Sequence, residues 1–205
     1  FVNHGGQIIS LVFTGGADDD VLVNDGTGLA SIQFTGGADD DVLINHGGSL
    51  GVLGFGGDGG DDILLNTGSN IATLTFTGGA DDDVLINSGS VITVMSFGGD
   101  LGNDLLWNQK SGVLINSLTF TGGANDDVLI NDAAGLVTLT FTGGADDDAL
   151  QNNGSVAALT FTGGADDDTL INAGTVTTLT FEGGADDDTL VNRSSVSYTH
   201  LTLPT

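Results

Sequence analysis

One motif recurs along almost the whole chain, and this repetition limits the folds open to the protein more than any other feature of the sequence. Nine copies follow one another, and a phenylalanine at a fixed place marks each copy. The spacings between these phenylalanines are 21, 21, 21, 21, 23, 21, 20 and 20 residues. The nine marker residues are Phe13, Phe34, Phe55, Phe76, Phe97, Phe120, Phe141, Phe161 and Phe181. A repeat of this length is typical of a solenoid, in which each copy forms one coil and buries its apolar side chains only by stacking on its neighbours.

Within each copy, apolar and polar residues alternate as they do in a half-buried β-strand. Leu74 and Phe76 are two residues apart and therefore share one face of an extended strand. Thr73, Thr75 and Thr77 occupy the opposite face. Because an apolar residue precedes the phenylalanine by two positions in every copy, each copy is expected to contain such a strand.

A second, shorter strand is predicted after an acidic turn. There a leucine and, two residues later, an asparagine recur in every copy, as Leu85 and Asn87 do. Coils stacked about 4.8 Å apart would align the Phe, Leu and Asn residues into ladders, with the Asn amides bonded to each other and to the turn backbone. The sequence thus predicts an all-β fold, a β-solenoid (parallel β-helix or β-roll) of about nine coils of 20–23 residues.

The two ends of the chain differ from the repeat. Phe1, Val2 and Asn3 match the end of the short strand, so the β-solenoid segment, residues 1–195, is expected to begin within a repeat. Residues 196–205 abandon the motif and contain the single Tyr and the single Pro of the chain. This tail resembles an in-frame translation of a sequencing adapter, which implies a non-native tail on a fragment of a longer protein. The rest of that parent chain is therefore an expected partner of the segment.

Charge and composition exclude several classes of function. The chain carries 28 acidic residues against 2 basic ones, a formal net charge of −26 at pH 7. Binding to nucleic acid or to an anionic membrane surface needs clustered Lys and Arg, so neither is expected. The absence of Cys excludes disulfides and thiol chemistry. No apolar run approaches the roughly 20 residues of a membrane-spanning helix, so this segment is not expected to insert into a membrane.

Each copy carries three consecutive acidic positions in the turn between its two strands. The third position is Asp in all nine copies, whereas the first varies among Asp, Asn and Gly. Those three residue types tolerate a left-handed backbone, so the first position is predicted to serve conformation and the third chemistry. Asp is also the short acidic side chain that forms turns and binds hard cations.

Stacking would bring the carboxylates of successive coils close together. Like charges about 4.8 Å apart repel by ~0.9 kcal/mol per pair even at the dielectric constant of water, so ordered Ca²⁺ between the coils is one prediction. Turn-forming Asp with loosely held counterions is the alternative. The predicted metal ligands at the third position are Asp20, Asp41, Asp62, Asp83, Asp104, Asp127, Asp148, Asp168 and Asp188. Those at the middle position are Asp19, Asp40, Asp82, Asp147 and Asp167.

Two further features of the repeat predict local backbone structure. A glycine two residues after each phenylalanine, as in Gly78, is predicted to have a positive φ or to allow the close approach of another segment. The copy that begins at Phe97 has two additional residues, carries Lys110, and has Trp107 where other copies have Val, Ile, Leu or Gln. We expect a bulged coil there, with the most distinctive local surface of the rod.

Two stretches resemble a known family. Gly56 to Leu64 and Gly98 to Leu106 are similar to the Gly-Gly-x-Gly-x-Asp-x-Leu nonapeptides of RTX (repeats-in-toxin) calcium-binding β-rolls. The resemblance implies Ca²⁺ bound between successive turns by Asp and turn carbonyls, and secretion by bacteria. Six copies have Asp, and one has Asn125, where the family has its second Gly. The repeat span as a whole resembles the β-helical repeats of autotransporter passengers and large bacterial adhesins, which implies exposure at a cell surface.

These features favour a structural role. Catalysis needs one unique set of carboxylates with different pKa values, whereas these Asp are copied in every coil, so an enzyme is not expected. We expect a non-enzymatic, extracellular or cell-surface segment of a large bacterial protein, acting as a spacer or adhesive stalk stiffened by calcium. The alternative is a ligand-binding solenoid whose outward Thr rows bind ice or a polysaccharide such as a surface glycan.

An apolar stripe is predicted to point outward between the inward Leu and Asn of the short strands. Its members are Val23, Ile44, Leu65, Ile86, Trp107, Ile130, Ile171 and Val191. Two interpretations stay open. The stripe is either a lateral contact with another protein or the half-buried part of short strands that lie next to a corner.

Overall fold

Twenty β-strands make up the regular structure of the computed structural model, which describes residues 1–5, 8–109, 114–194 and 196–202. The strands are β1 (Val2–Asn3), β2 (Ser10–Gly16), β3 (Val21–Asn24), β4 (Ser31–Gly37), β5 (Val42–Asn45), β6 (Leu50–Gly59), β7 (Ile63–Asn66), β8 (Ile71–Ala80), β9 (Val84–Asn87), β10 (Ile92–Leu101), β11 (Leu105–Asn108), β12 (Ile115–Ala124), β13 (Val128–Asn131), β14 (Ala134–Gly144), β15 (Ala149–Asn152), β16 (Ser155–Gly164), β17 (Thr169–Asn172), β18 (Thr175–Gly184), β19 (Thr189–Asn192) and β20 (Val196–Thr202). Among the described residues no helix is long and apolar enough to cross a membrane.

The strands alternate between two parallel sheets. The odd-numbered strands form a ten-stranded sheet, here called the short sheet, and the even-numbered strands form a second one, the long sheet. Neighbouring strands pair one copy apart, so that Phe97 lies opposite Phe76 and Phe120. The predicted all-β solenoid of about nine coils is thereby confirmed.

The core of the rod consists of apolar columns that run from coil to coil. Leu74, Phe76 and Leu85 represent three of these columns, and all three are buried. From Phe34 to Phe141, the rings of successive coils stack with centroids 4.7–4.9 Å apart and planes within 8° of parallel. This distance equals the usual spacing of paired strands, and it confirms the predicted Phe ladder.

A further inward column lies five residues before eight of the nine phenylalanines, and alternation alone does not predict it. Ile71 is 1% exposed although it lies three positions before Leu74. Both residues between them, Ala72 and Thr73, are less buried than their neighbours, so β8 departs from strict alternation at this point. The column consists of Leu29, Leu50, Ile71, Ile92, Ile115, Leu136, Val156 and Val176.

The asparagines form a continuous hydrogen-bonded ladder along one edge of the core. Each Asn Nδ2 donates to Oδ1 of the Asn in the next coil over 2.7–2.9 Å, from Asn3 to Asn192. Oδ1 of several members also accepts the backbone N–H two residues later, as Asn87 does from Gly89. These bonds confirm both predicted roles of the Asn amides.

The additional residues of the long copy lie in the connection between β11 and β12. Asn108 and Ile115 are seven residues apart, whereas the corresponding Asn87 and Ile92 are five apart. Both strands keep the register of the neighbouring coils, so the insertion does not disturb the stack. Lys110, which the bulged coil was expected to carry, lies outside the described residues.

Part of the predicted non-native tail pairs with the rod. Strand β20 is parallel to β18, with Leu201 opposite Phe181. This pairing adds one strand to the long sheet. It does not bear on the origin of the segment, so the domain boundary after residue 195 stays a prediction.

Candidate functional site

The acidic turn joins each long strand to the following short strand, and we call this edge of the rod the Asp corner. Its backbone contains two closely spaced residues with positive φ, as in Gly79 with a φ of 127° and Asp81 with a φ of 75°. At the first acidic position φ lies between 64° and 116° in eight coils. These residues are Asp39, Gly60, Asp81, Gly102, Asn125, Asp146, Asp166 and Asp186. The prediction that the first position serves conformation is confirmed.

The third-position Asp side chains point into the core and form a column of their own. From Asp41 to Asp168 they are at most 1% exposed. Oδ1 of each carboxyl accepts the backbone N–H of the third-position Asp in the preceding coil, as Asp83 does from Asp62 over 2.9 Å. The same bond recurs over 2.7–3.1 Å from Asp20 to Asp188. The third position therefore links each coil to the coil before it.

The middle-position side chains form a second, exposed column that bonds in the opposite direction. Asp61 Oδ1 accepts the backbone N–H of Asp82 in the following coil over 3.0 Å. In the long copy Asn103 occupies the middle position, and its Oδ1 accepts the backbone N–H of Asp126 in the following coil. Three residues that the predicted ligand set leaves out belong to this column as well, namely Asp61, Asp126 and Asp187. The two columns together hold each coil to both of its neighbours.

The second carboxyl oxygen of the third-position Asp has no hydrogen-bond partner among the described residues. This holds for Oδ2 of Asp41, Asp62, Asp83, Asp104, Asp127, Asp148, Asp168 and Asp188. Each Oδ2 lies against the inward glycine of its own coil. A Cβ atom on Gly78 would overlap Asp83 Oδ2, and the other coils repeat this contact. Of the two interpretations of this glycine, close approach is therefore correct, while the positive φ belongs to the residue that follows it.

Burial changes the protonation of this column. Desolvation raises the pKa of Asp83 to about 8 and that of Asp62 to about 7, and the backbone N–H from the preceding coil only partly opposes this effect. The same cause raises the pKa of Asp104, Asp127 and Asp148 to about 7 and that of Asp168 to about 6. At neutral pH the column therefore retains protons that exposed Asp side chains would have lost.

The donor set suits a hard cation, but it does not form a ready-made cluster. Among the residues that the structure describes, no three Asp, Glu or His side chains meet in an arrangement that could hold a metal ion. Oδ1 of both columns is already engaged by backbone N–H groups. A bound Ca²⁺ would draw on the Oδ2 atoms of the third-position Asp and on turn carbonyls, the oxygen ligands that Ca²⁺ prefers. Calcium at this corner stays a prediction.

The opposite edge of the rod carries an exposed polar cluster that sequence reasoning did not predict. Asp25 lies between His4 and His46, with its two carboxyl oxygens 3.0 and 2.7 Å from their Nδ1 atoms. The hydrogen bond from His46 is the main cause that lowers the pKa of Asp25. The equal spacing of 21 residues between these three side chains was the available signal, because it places them in successive coils.

Comparison with known proteins adds no family assignment. No model of a protein family, no curated protein and no solved structure matches the chain. The strand pairing alone therefore defines the fold as a parallel β-solenoid.

Replacement of Gly99 by Ala tests the contact between the inward glycine and the buried carboxyl. A Cβ atom there would overlap Asp104 Oδ2, and a shift of Asp104 would break its bond with Asp83 N–H. We expect Gly99→Ala to lower the free energy of unfolding by about 2–3 kcal/mol in urea denaturation followed by circular dichroism. Gly98→Ala is the matched control, since a Cβ atom there meets nothing within 4 Å. Equal losses in both variants would disprove the role of the contact.

The stability of the protein without divalent cations should rise as the pH is lowered from 8 to 5. Because the pKa of the buried column is raised above the ordinary Asp value of 3.8, folding binds protons. This stabilisation is complete below that value and is lost as the pH rises through about 7. We expect a Tm in EDTA that is higher by at least about 5 °C at pH 5 than at pH 8.

Two variants separate the buried column from the general acidity of the chain. Asp83→Asn should reduce the difference in Tm between pH 5 and pH 8. Asp82→Asn removes one exposed charge from the same turn and should leave the difference nearly unchanged. An equal reduction in both variants would assign the pH dependence to repulsion among all acids.

Proposed function

We propose that this segment is a non-enzymatic, extracellular spacer or adhesive stalk of a large bacterial surface or secreted protein, stiffened by calcium along its Asp corner. The observation that carries the proposal is the uniformity of the stack. The same inward residues make the same contacts in coil after coil, from Asn3 to Asn192 and from Phe34 to Phe141. A segment built in this way supports a function that depends on length and stiffness.

The stacking geometry supports such a mechanical role. Nine coils about 4.8 Å apart span roughly 43 Å, and every added repeat lengthens the rod by the same amount. Each coil is bonded to its neighbours through the backbone pairs of two sheets and through the Asn and Asp ladders. Bending the rod would stretch all of these bonds on one side, so the ladders make it stiff.

The unpartnered oxygens of the Asp corner support calcium as the stiffening agent. Within the described ranges, eight buried Oδ2 atoms have no hydrogen-bond partner, and a cation would neutralise them in place of the protons that they hold at low pH. The two RTX-like copies add a further group, because Asp58 and Asp100 have φ values of 77° and 81° where other copies have the second glycine. Their exposed carboxylates lie at the same corner.

Thermal unfolding with different cations tests the calcium proposal. Circular dichroism at pH 8 in EGTA is compared with millimolar CaCl₂, MgCl₂ and NaCl at matched ionic strength. If Ca²⁺ is present at about 100 times its Kd, it should stabilise the fold by about 2.7 kcal/mol, which raises the Tm by roughly 5–10 °C. Mg²⁺ and Na⁺ should not reproduce this rise. Equal effects of all salts would mean that cations only screen the Asp corner.

Variants of one turn identify the ligands in the same experiment. Asp83→Asn with Asp104→Asn removes two adjacent buried carboxylates and should reduce the Ca²⁺-dependent rise in Tm. Asp81→Asn is the control, because the equivalent Asn125 shows that Asn is accepted at this position. Loss of the calcium effect in both would place the ligands elsewhere. A negative result for calcium would leave the spacer role standing.

A specific alignment of hydroxyl groups supports the alternative, a ligand-binding solenoid. In the last four copies Thr119, Thr140, Thr160 and Thr180 lie opposite one another on the outward face of the long sheet. A second column two residues later contains Thr121, Thr142 and Thr162. This array presents hydroxyl groups at the repeat distance of the strands, which suits a periodic ligand such as ice or a polysaccharide.

Replacement of two threonines distinguishes the two functions. If the Thr array binds a ligand, Thr140→Lys with Thr160→Lys should weaken ice-recrystallisation inhibition or polysaccharide co-sedimentation by at least about tenfold, since both changes centre on this face. A spacer predicts no such activity in either protein. The unfolding curve of the variant checks that the fold is retained, because both side chains lie outside the core.

A further inference from the structure

The outward face of the short sheet is apolar where a solvated sheet would be polar. In the first six coils the first and third residues of each short strand point away from the core and are all aliphatic or aromatic. These residues are Val21, Val23, Val42, Ile44, Ile63, Leu65, Val84, Ile86, Leu105, Trp107, Val128 and Ile130. We call this surface the apolar strip. It contains the first six members of the predicted apolar stripe, together with the residue two positions before each of them. The corresponding face of the long sheet is rich in Thr and Ser, so apolar character is not a general property of the outer surface.

The apolar strip is partly covered by its own neighbours but remains open to solvent. Ile44, Ile86 and Trp107 are half-buried, as expected for residues of short strands near a corner. Val21 and Ile63 are 45% and 39% exposed. The other ten residues of the strip are half-buried. Contiguous apolar surface that stays accessible to solvent is one of the features of protein–protein contacts.

Trp107 is held in one orientation within the apolar strip. Its Nε1 donates to Asp132 Oδ2 over 2.9 Å, and Asn153 Nδ2 donates to Asp132 Oδ1 over 2.7 Å. The carboxylate of Asp132 is thus fixed by one group from the coil before it and one from the coil after it. A tryptophan whose polar edge is bonded and whose ring lies on an apolar surface has the properties of an interface anchor.

We propose that the apolar strip binds the apolar strip of a second copy of this chain, with the two rods side by side. The period of the surface points to this partner. Side chains of the strip recur at the strand spacing of about 4.8 Å along the rod, and a surface with the same period can place its ridges in the grooves over the whole length. A second copy of this chain has the same repeat and therefore the same period.

Charge selects the relative direction of the two rods. The exposed middle-position acids, such as Asp40 and Asp82, run along one side of the strip. The other side carries the residues that follow the Asn ladder, most of which are not acidic, such as His46, Thr67 and Ser88, although Asp25 and Asp132 also belong to it. A two-fold axis parallel to the rods places the acids of each copy beside the polar side of the other, whereas antiparallel rods would place acids against acids. The pair is therefore parallel.

The area of the strip is smaller than that of most stable complexes. Six coils of about 4.8 Å and four residues of about 3.3 Å give a strip of roughly 29 by 13 Å, so that a pair buries about 750 Å² in total. Stable complexes usually bury at least about 1,200 Å². The segment should therefore pair weakly, with a Kd on the order of 100 μM, and a longer run of such coils should pair more tightly.

Sedimentation velocity from about 5 to 500 μM tests the pairing around the expected Kd on the order of 100 μM. The weight-average mass should rise toward two copies, and the emission of Trp107, the only Trp of the chain, should shift to shorter wavelength over the same range.

Ile44→Gln with Ile86→Gln should weaken pairing at least about tenfold. Gln151 occupies the equivalent place in the seventh copy, so the fold should accept these changes. Thr75→Gln on the long sheet is the control, because Gln33 occupies the same place two copies earlier, and it should not affect pairing.

A crosslinking experiment tests the parallel arrangement separately. Because the chain has no Cys, the variants Asp82→Cys and Ser88→Cys each carry one reactive thiol. With a short bis-maleimide, mixtures of the two should crosslink more efficiently than either alone. Preferential Asp82→Cys homodimers would overturn the parallel arrangement. A protein that stays monomeric to about 500 μM, well above the expected Kd, or that pairs equally well after the Ile→Gln changes, would overturn the proposal itself.

Discussion

Each coil depends on its two neighbours because the polar groups that it buries are satisfied only across the boundary between coils. The Asn amides bond along the rod, and each third-position Asp accepts a backbone N–H from the coil before it. A buried polar group without a partner costs about 1–3 kcal/mol, so a shift of register would leave two such groups unpaired in every coil. The apolar Phe and Leu columns drive stacking, but their side chains alone do not distinguish one register from another as sharply. The ladders therefore select the single register in which like residues lie opposite each other.

The Asn ladder and the Asp corner both bury polar side chains, but only the Asn ladder satisfies all of their hydrogen-bonding groups along the rod. Both place a small inward residue, Gly78 or Gly89, beside a buried polar side chain. An amide has one donating and one accepting group, so Asn87 receives from one neighbour and donates to the other. A carboxylate only accepts, so Asp83 satisfies Oδ1 and leaves Oδ2 without a partner among the described residues. Burial of these carboxylates raises their pKa values at the Asp corner, and a proton or a cation can neutralise the column.

Periodic side chains were predictable from the sequence, whereas breaks in the periodicity were not. Leu74, Phe76 and Leu85 follow the alternation of a strand, and their columns are present as predicted. Ile71 was not predictable in this way because its odd distance from Leu74 places it on the other face of a regular strand. The Asn ladder was predictable for the same reason. Each asparagine lies two residues after an inward leucine and therefore points inward as well.

The Asp corner was predictable in its conformation and only partly in its chemistry. Gly, Asn and Asp at one position indicated a left-handed backbone, and φ of Asp81 agrees. Three consecutive acids in a turn look alike in sequence, yet Asp82 is exposed and Asp83 is buried against a glycine. The two side chains point in different directions from the turn. Those directions depend on the backbone conformation of Gly79 and Asp81. The repeats themselves hold a weak signal, since the third position never varies and the middle one accepts Asn103.

The copies of the repeat form a series of natural substitutions within one molecule. Inward positions hardly vary, because a change in one coil must fit two neighbours at once. Outward positions of the long sheet vary freely, as Val12, Gln33 and Gly54 do in successive copies. On the short sheet, by contrast, outward residues stay apolar through six coils although solvent would accept Thr or Gln there, as Gln151 demonstrates. Stacking alone does not require this restriction, so it points to a second surface against the strip, which a parallel copy of the same rod supplies.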